Sequence, residues 1–145
     1  MRRFLAVWPP SSVAAALSPL ARGVPAERLH VTLRFLGDAP FEGWPAAPAP
    51  AGVEARLGPR TDAFGRRVLH VPVAGLDALA ALLDPRPERP FVGHLTLGRG
   101  RDVRPWVGVV VPAAAQVRWP VEDVTLVRSE GGRYVVEERW PLPSR

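Results

Sequence analysis

Two copies of a four-residue motif, H-x-T-L, are the feature of this sequence with the clearest chemical meaning. They occupy residues 30–33 and 94–97 and contain two of the three histidines of the chain. Successive side chains of a β-strand point to opposite faces. Each motif therefore places its histidine and threonine side by side and turns its other two residues toward the core. Two such strands brought together would gather four polar groups around one point.

These four groups, His30, Thr32, His94 and Thr96, are suited to acid–base catalysis. Imidazoles titrate near neutral pH, so one histidine can be protonated while the other is neutral. One can take a proton from a nucleophile while the other protonates a leaving oxygen, and the threonine hydroxyls can bind a phosphoryl oxygen. The set predicts in-line displacement at a phosphodiester without a metal ion. A single motif would favour an ordinary strand histidine, whereas the matched pair favours a catalytic site.

The motifs need strands to hold them, and the hydrophobic pattern predicts an α+β fold with mainly antiparallel pairing. Two helices are predicted, one from a cap at Ser11 or Ser12 to Leu17 and one over residues 76–83. The proline- and alanine-rich segment 39–52 is predicted to be a loop, and segment 102–115 is ambiguous between a helix end and an exposed strand. The predicted strands are 2–8, 28–36, 53–57, 67–73 after a turn at Gly65, 91–97, and the hairpin strands 121–128 and 133–140.

Composition narrows the class of protein. A chain of 145 residues with 47% hydrophobic residues predicts a single globular domain over residues 1–145, with no membrane association. The N-terminus begins with a basic, apolar stretch like that of a signal peptide, but Pro9 and Pro10 interrupt it, which favours a first strand. The absence of cysteine excludes disulfides, thiolate metal sites and a thiol nucleophile, and a cytoplasmic enzyme is expected.

Charge favours an anionic partner. The net charge is +5, and all 19 basic residues are arginine. A coding bias toward GC-rich codons explains the absence of lysine, and the guanidinium group also suits phosphate recognition. Arg34, on the predicted His30 face, and Arg99, just after the second motif, are candidates for phosphate contact, with a solvated or structural role as the alternative.

His70 and the tryptophans are weaker candidates. His70 has no threonine two residues on, so a strand histidine with an ordinary hydrogen bond is favoured over contact with a base or ribose. A metal site of all three histidines lacks a supporting carboxylate or His-x-His spacing. The tryptophans could stack on bases, but Trp8, Trp119 and Trp140 follow strand patterns that favour the core.

The two motifs in context resemble those of the 2H phosphoesterases, and among them the RNA 2′,3′-cyclic phosphodiesterases, also called 2′-5′ RNA ligases. Residues 28–37 (RLHVTLRFLG) resemble the first family segment and residues 89–99 (RPFVGHLTLGR) the second. Weaker likeness covers the opening strand at residues 3–7 and the closing hairpin at 124–142, so the resemblance extends over most of the chain.

The resemblance implies a bilobal, pseudo-two-fold fold, with antiparallel sheets lining a central cleft and helices outside. It implies hydrolysis of an RNA or nucleotide 2′,3′-cyclic phosphate to a 2′-phosphomonoester, with no cofactor. His30 would be the general acid, His94 the general base, and Thr32 and Thr96 the phosphate-binding residues. A monomer is expected. Reversible 2′-5′ RNA ligation and non-catalytic binding of RNA ends are the alternatives.

Three departures from the family pattern concern substrate length more than chemistry. The segment after Asp38, a helix in typical members, is short and proline-rich. Gly93 stands where proline is common, and the region after Arg101 is compressed.

Overall fold

The computed structural model describes residues 2–145, which form nine strands and two short α-helices. The helices are α1 (Ser11–Leu17) and α2 (Asp77–Leu83). The strands are β1 (Arg2–Val7), β2 (Val31–Gly37), β3 (Glu54–Leu57), β4 (Asp62–Phe64), β5 (Val68–Ala74), β6 (His94–Arg99), β7 (Arg118–Pro120), β8 (Asp123–Glu130) and β9 (Arg133–Pro141).

The strands form one sheet in the order β7-β3-β5-β6-β2-β1-β8-β9, with β4 added beside β5. All pairings between these strands are antiparallel. The two strands that carry the motifs, β2 and β6, are neighbours at the centre of the sheet. The predicted α+β class is confirmed. The description as one domain with two pseudo-symmetric lobes stays a prediction.

An internal repeat relates the two halves of the sheet. The unit β1–α1–β2 recurs as β5–α2–β6, and each motif strand pairs with the strand that opens its unit. The registers match: Ala6 lies opposite Thr32 as His70 lies opposite Thr96. The repeat seen in the sequence as two short motifs is therefore a repeat of larger structural units.

The main core lies on the face of the sheet that packs against both helices. Helix α1 buries Val13, Ala14 and Leu17, and α2 buries its own apolar stripe on the same core cluster. The apolar residues of the motifs face this core, as predicted, and all four are buried: Val31, Leu33, Leu95 and Leu97. The helices thus lie on one face of the sheet and leave the other face for the polar groups.

Both motif strands begin later than predicted, at residues 31 and 94 instead of 28 and 91. The carbonyl groups of Arg28 and Val92 accept hydrogen bonds from imidazoles, so these two residues do not continue the strands. His30 therefore precedes β2 and His94 opens β6, whereas the sequence placed each histidine in the middle of a strand.

The other differences between the predicted and observed elements occur where the hydrophobic pattern of the sequence is weak. Strands β4 and β7 were not predicted, because each has only three residues. Gly65 joins β4 to β5, not β3 to β5. Pro10, which has no capping side chain, is the N-cap of α1, so the predicted serine cap is wrong.

The loop 39–52 contains no helix or strand, as predicted, and segment 102–115 contains two 3₁₀ turns. The hairpin turn between β8 and β9 is formed by Gly131 (φ 58°) and Gly132 (φ 78°), a conformation that glycine adopts at little cost. Within residues 2–145, no helix is long and apolar enough to cross a membrane.

Candidate active site

The pairing of β2 with β6 brings the two motifs together. Val31 lies opposite Leu95. In an antiparallel pair, the residue before one partner lies opposite the residue after the other, so His30 comes opposite Thr96 and Thr32 opposite His94. All four polar side chains line one cavity, as the motif spacing predicted.

Each imidazole is held by the carbonyl group two residues before it. His30 Nδ1 donates to the carbonyl oxygen of Arg28 at 2.7 Å, and His94 Nδ1 donates to that of Val92 at 2.7 Å. A carbonyl oxygen can only accept, so Nδ1 carries a proton in both rings and Nε2 is the nitrogen that titrates. Both histidines are therefore oriented to exchange a proton at Nε2.

The first threonine is coupled directly to its histidine. The distance from His30 Nε2 to Thr32 Oγ1 is 3.1 Å. The hydroxyl donates to a neutral imidazole and accepts from a protonated one. Thr32 can therefore accompany the proton transfer at His30 in either state.

A β-bulge follows each threonine and redirects the rest of the strand. Between Thr32 and Arg34 the register with β1 slips by one residue, and the same slip occurs between Thr96 and Gly98. The leucine of each motif is the extra residue. Because of the bulges, the side chains five positions after each histidine, Phe35 and Arg99, return to the cavity.

The prediction that Arg34 lies on the His30 face is wrong, because the bulge turns Arg34 over. It lies opposite the buried Leu5 of β1 and donates from Nη1 to the carbonyl oxygen of Leu83 at 3.0 Å. Its Nε is 3.9 Å from Asp84. Arg34 thus links β2 to the end of α2, whereas Arg99 lines the cavity with the motif residues, and its contact with phosphate stays a prediction.

The cavity has a volume of 570 Å³ and a basic lining. Among the described residues that line it there are three arginines and two histidines, and no aspartate or glutamate. Such a cleft attracts an anion and stabilises its charge. Besides the four motif residues, the lining consists of Arg2, Phe4, Val24, Arg28, Phe35, Arg99, Ser129 and Tyr134.

Three aromatic rings surround His30. Phe4 stacks on it at a centroid distance of 4.8 Å, and Trp8 and Tyr134 lie at 5.3 and 5.4 Å. Trp8 belongs to this cluster and not to the main core, which corrects its predicted place, and its Nε1 donates to Thr125 Oγ1 at 2.8 Å.

Trp119 and Trp140 were also predicted to lie in the core, and the structure places both in or against it. Trp119 is buried in the main core, and Trp140 is partly buried against it.

His94 has different neighbours. Phe64 meets it edge-on at 4.8 Å, and His70 lies at 5.4 Å with its ring stacked on Phe64. His70 is only 3% exposed, and neither of its ring nitrogens has a hydrogen-bond partner in the described part of the chain. Phe64 covers the ring of His70, and the Val71 backbone is close enough to raise its pKa, so the hydrogen bond expected for this histidine stays a prediction.

Burial lowers the pKa of all three histidines from the ordinary value of 6.5. For His30, burial outweighs the bond to the Arg28 carbonyl, and the charges of His94, Arg28 and Arg99 lower the pKa further. For His94, the charge of Arg99 adds to the effect of burial. Neutral imidazoles therefore predominate in the empty site near neutral pH.

Within the described residues, no group of three or more histidine, cysteine, aspartate or glutamate side chains is arranged to hold a metal ion. What the cavity offers is two proton-transfer groups, two hydroxyls and a guanidinium around one point. These groups can move a proton on to one oxygen and off another while holding an anion between them.

Sequence patterns did not reveal Phe4, Phe64, Tyr134 or Arg28 as site residues. Each reaches the site through strand pairing or ring packing with partners distant in sequence. Their hydrophobic or basic character was visible, but nothing local distinguished them from core or surface residues.

The sequence and fold are similar to those of characterised proteins. An RNA 2′,3′-cyclic phosphodiesterase of Thermus thermophilus is 34% identical, in a match that covers 98% of this chain and 90% of the relative. The crystal structure of a phosphoesterase, 25% identical, has a TM-score of 0.74, and that of E. coli LigT with 3′-AMP, also 25% identical, has one of 0.73. Each covers 98% of both chains. No family model matches the chain.

Proposed function

The chain belongs to the family of RNA 2′,3′-cyclic phosphodiesterases, and on that premise we propose that it opens the 2′,3′-cyclic phosphate at RNA ends with His30 and His94 as its acid–base pair. The observation that carries the proposal is the arrangement of the two imidazoles. Both are fixed at Nδ1 by a carbonyl group, both titrate at Nε2, and both line one basic cavity.

In the proposed reaction, His94 accepts a proton from water as the water oxygen bonds to phosphorus. The bond between phosphorus and the 3′ oxygen breaks, and His30 gives that oxygen its proton. The product is a 2′-phosphomonoester with a free 3′ hydroxyl. Thr32, Thr96 and Arg99 stabilise the charge that develops on the non-bridging oxygens. These groups perform each step without a metal ion, so a chelator should leave the rate unchanged.

The direction of proton transfer follows the family resemblance. A general-acid role requires a protonated His30, which burial and the nearby cationic groups disfavour in the empty site. A bound phosphate anion raises the pKa of both histidines and so favours the protonated form. The acid form of His30 is therefore expected in the substrate complex.

The principal test is the turnover of adenosine 2′,3′-cyclic phosphate by the wild type and by His30→Ala and His94→Ala, with the product identified. Each substitution should lower kcat by about 10²–10⁴-fold, because each removes one proton-transfer group. Wild-type kcat/KM should peak below pH 6.5, the direction in which burial moves both pKa values. Full activity in either variant, or a 3′-phosphomonoester as product, would contradict the proposal.

A second cavity supports 2′-5′ ligation as a further candidate reaction. It has a volume of 220 Å³ and shares Thr32, Phe35 and His94 with the main cavity. A 5′-hydroxyl RNA end bound there would lie beside His94 and could replace water as the nucleophile. Incubation of cyclic-phosphate and 5′-hydroxyl ends should then yield joined RNA. Phe91→Ala should reduce joining more than hydrolysis, because Phe91 lines the second cavity and not the main one.

A relative of similar fold supports a nucleotide as the ligand of this chain. E. coli LigT was crystallised with 3′-AMP, a nucleotide with a 3′ phosphate. The non-catalytic alternative, binding of RNA ends alone, would give salt-sensitive affinity with no turnover in the principal test.

A further inference from the structure

The main cavity is longer than the motif residues require, and its far end contains groups that the reaction does not use. Along β1, Phe4 and Arg2 line the cavity, and the buried Ala6 precedes them in the same row, opposite Thr32. Arg2 lies about 13 Å from Ala6 at the rise of an extended strand. Thr32, opposite Ala6, is therefore at one end of this row, His30 stacks on Phe4 in the middle, and Arg2 is at the other end.

Arg2 shares the far end with a hydroxyl group and an aromatic ring. It lies opposite Ser129 of β8, and Ser129 lies opposite Tyr134 of β9, so the three form one row across the sheet. The guanidinium of Arg28 lies over the ring of Tyr134 at 4.6 Å and extends the row toward His30. Ser129, Tyr134 and both arginines line the cavity.

Neither arginine of this row forms an ion pair with another described residue. The side chain of Arg2 is exposed and has no hydrogen bond to the described part of the chain. Arg28 Nε is buried and has no acceptor within the described part of the chain. The next residue provides a contrast, because Arg3 Nε donates to Glu137 Oε1 at 2.6 Å. Of these two adjacent arginines, Arg3 is neutralised by Glu137 and Arg2 lines the basic cavity.

The space between the motifs and Arg2 is bounded by aromatic rings. Phe4 lies opposite Phe35, which is 61% exposed, and both line the cavity between the two ends. A nucleoside whose cyclic phosphate lies at the histidines would pass over the exposed ring of Phe35, and its 5′ oxygen would point away from the histidines. The next phosphate of an RNA chain would then come within reach of an arginine side chain extending from Arg2.

We propose that Arg2, Arg28 and Ser129 form a second phosphate subsite, which binds the phosphodiester joining the terminal nucleotide to the one before it. Guanidinium groups bind phosphate oxygens strongly, and a serine hydroxyl adds a hydrogen bond. The subsite rests on the proposed function, since it takes the cyclic phosphate to lie at His30 and His94. It makes the substrate an RNA end of at least two nucleotides, in preference to a cyclic mononucleotide.

The test compares three substrates: adenosine 2′,3′-cyclic phosphate, the ApA dinucleotide with the same cyclic end, and that dinucleotide with a neutral methylphosphonate linkage. The kcat/KM for the ApA dinucleotide should exceed that for the mononucleotide about tenfold, as expected for one charged hydrogen-bonded contact. It should fall more steeply with salt, by about 0.7 in the log–log slope, because one more phosphate is bound. The methylphosphonate should behave like the mononucleotide.

Arg2→Ala should bring the ratio of the two kcat/KM values close to one and remove the additional salt dependence. Arg3→Ala is the matched control, because Arg3 is paired with Glu137 and does not line the cavity, and it should leave the ratio unchanged. Equal kcat/KM for mononucleotide and dinucleotide, a preference retained by the methylphosphonate, or equal effects of the two substitutions would overturn the subsite.

Binding separates failure of the subsite from failure of the proposed function. Affinities for the 2′-phosphorylated mononucleotide and dinucleotide can be measured whether or not turnover occurs. If no substrate is hydrolysed, the proposed function fails, but tighter binding of the dinucleotide that is lost in Arg2→Ala still supports the subsite. Equal affinities would refute it.

Discussion

The two halves of the site use one backbone design with different side chains around it. In each half a carbonyl group holds the imidazole at Nδ1, a threonine follows two residues later, and a bulge returns the fifth residue to the cavity. That fifth residue is Phe35 in one half and Arg99 in the other.

The residue opposite each threonine also differs, being Ala6 in one half and His70 in the other. The repeated backbone thus sets the geometry of the two histidines, whereas the side chains that are not repeated determine the local charge and contacts of each. Near-symmetric groups can therefore take unlike roles, which is what an acid–base pair requires.

The largest expected effect would show whether the two histidines differ in role. A phosphodiester with a 4-nitrophenolate leaving group needs no general acid, because the leaving anion is stable without a proton. On this substrate His30→Ala should approach the wild-type rate to within about tenfold, while His94→Ala should remain slower by about 10²-fold or more. If His94→Ala instead hydrolysed this substrate at close to the wild-type rate, His94 would be the general acid. Equally reduced rates in both variants would show that the two histidines do not differ in role.

The next effect concerns the residue five positions after each histidine, Phe35 in one half and Arg99 in the other. Arg99→Ala should lower kcat/KM about 10–100-fold through loss of a charged contact to the phosphoryl group. Phe35→Ala should act mainly on KM, by about tenfold or less, since an exposed ring contacts the nucleoside and not the reacting atoms. Steady-state kinetics on adenosine 2′,3′-cyclic phosphate would measure both, with Arg118→Ala, far from the cavity, as control. Indistinguishable kinetics for the two variants would contradict the functional difference between the halves.

The smallest effect concerns the residue opposite each threonine. His70 is buried without a hydrogen-bond partner among the described residues, so His70→Phe should raise the free energy of unfolding by about 1–2 kcal/mol at neutral pH. Burial lowers the pKa of His70, so the unfolded chain takes up its proton at higher pH than the folded chain. Stability should therefore be full above pH 6.5 and fall as the pH drops through the folded pKa.

Urea denaturation at several pH values would measure both parts of this effect. His70→Phe should weaken the loss of stability at low pH, while Ala6→Ser, at the matching position of the other half, should not alter the pH dependence. A destabilised His70→Phe variant would show that His70 makes a polar contact that stabilises the fold.

Much of the site was predictable because its main feature is local. The distance from each histidine to its threonine depends only on strand geometry, and the burial of Val31, Leu33, Leu95 and Leu97 follows from the same alternation. Arg34 shows where this reasoning fails. Strict alternation places it with His30, but one extra residue in the strand moves it to the other face. A bulge depends on pairing with a partner strand, which the local sequence does not specify.

Residue type and two-residue periodicity are local properties, so the four proposed reacting groups, their pairing within each motif and the α+β class could be predicted from the sequence. The pairing of Val31 with Leu95, the packing of Tyr134 against His30 and the burial of His70 beside His94 depend on the tertiary structure. These contacts join segments distant in the chain, and their formation depends on how the whole sheet closes over its core. The motifs thus define the chemistry, and the sheet defines the surroundings in which it acts.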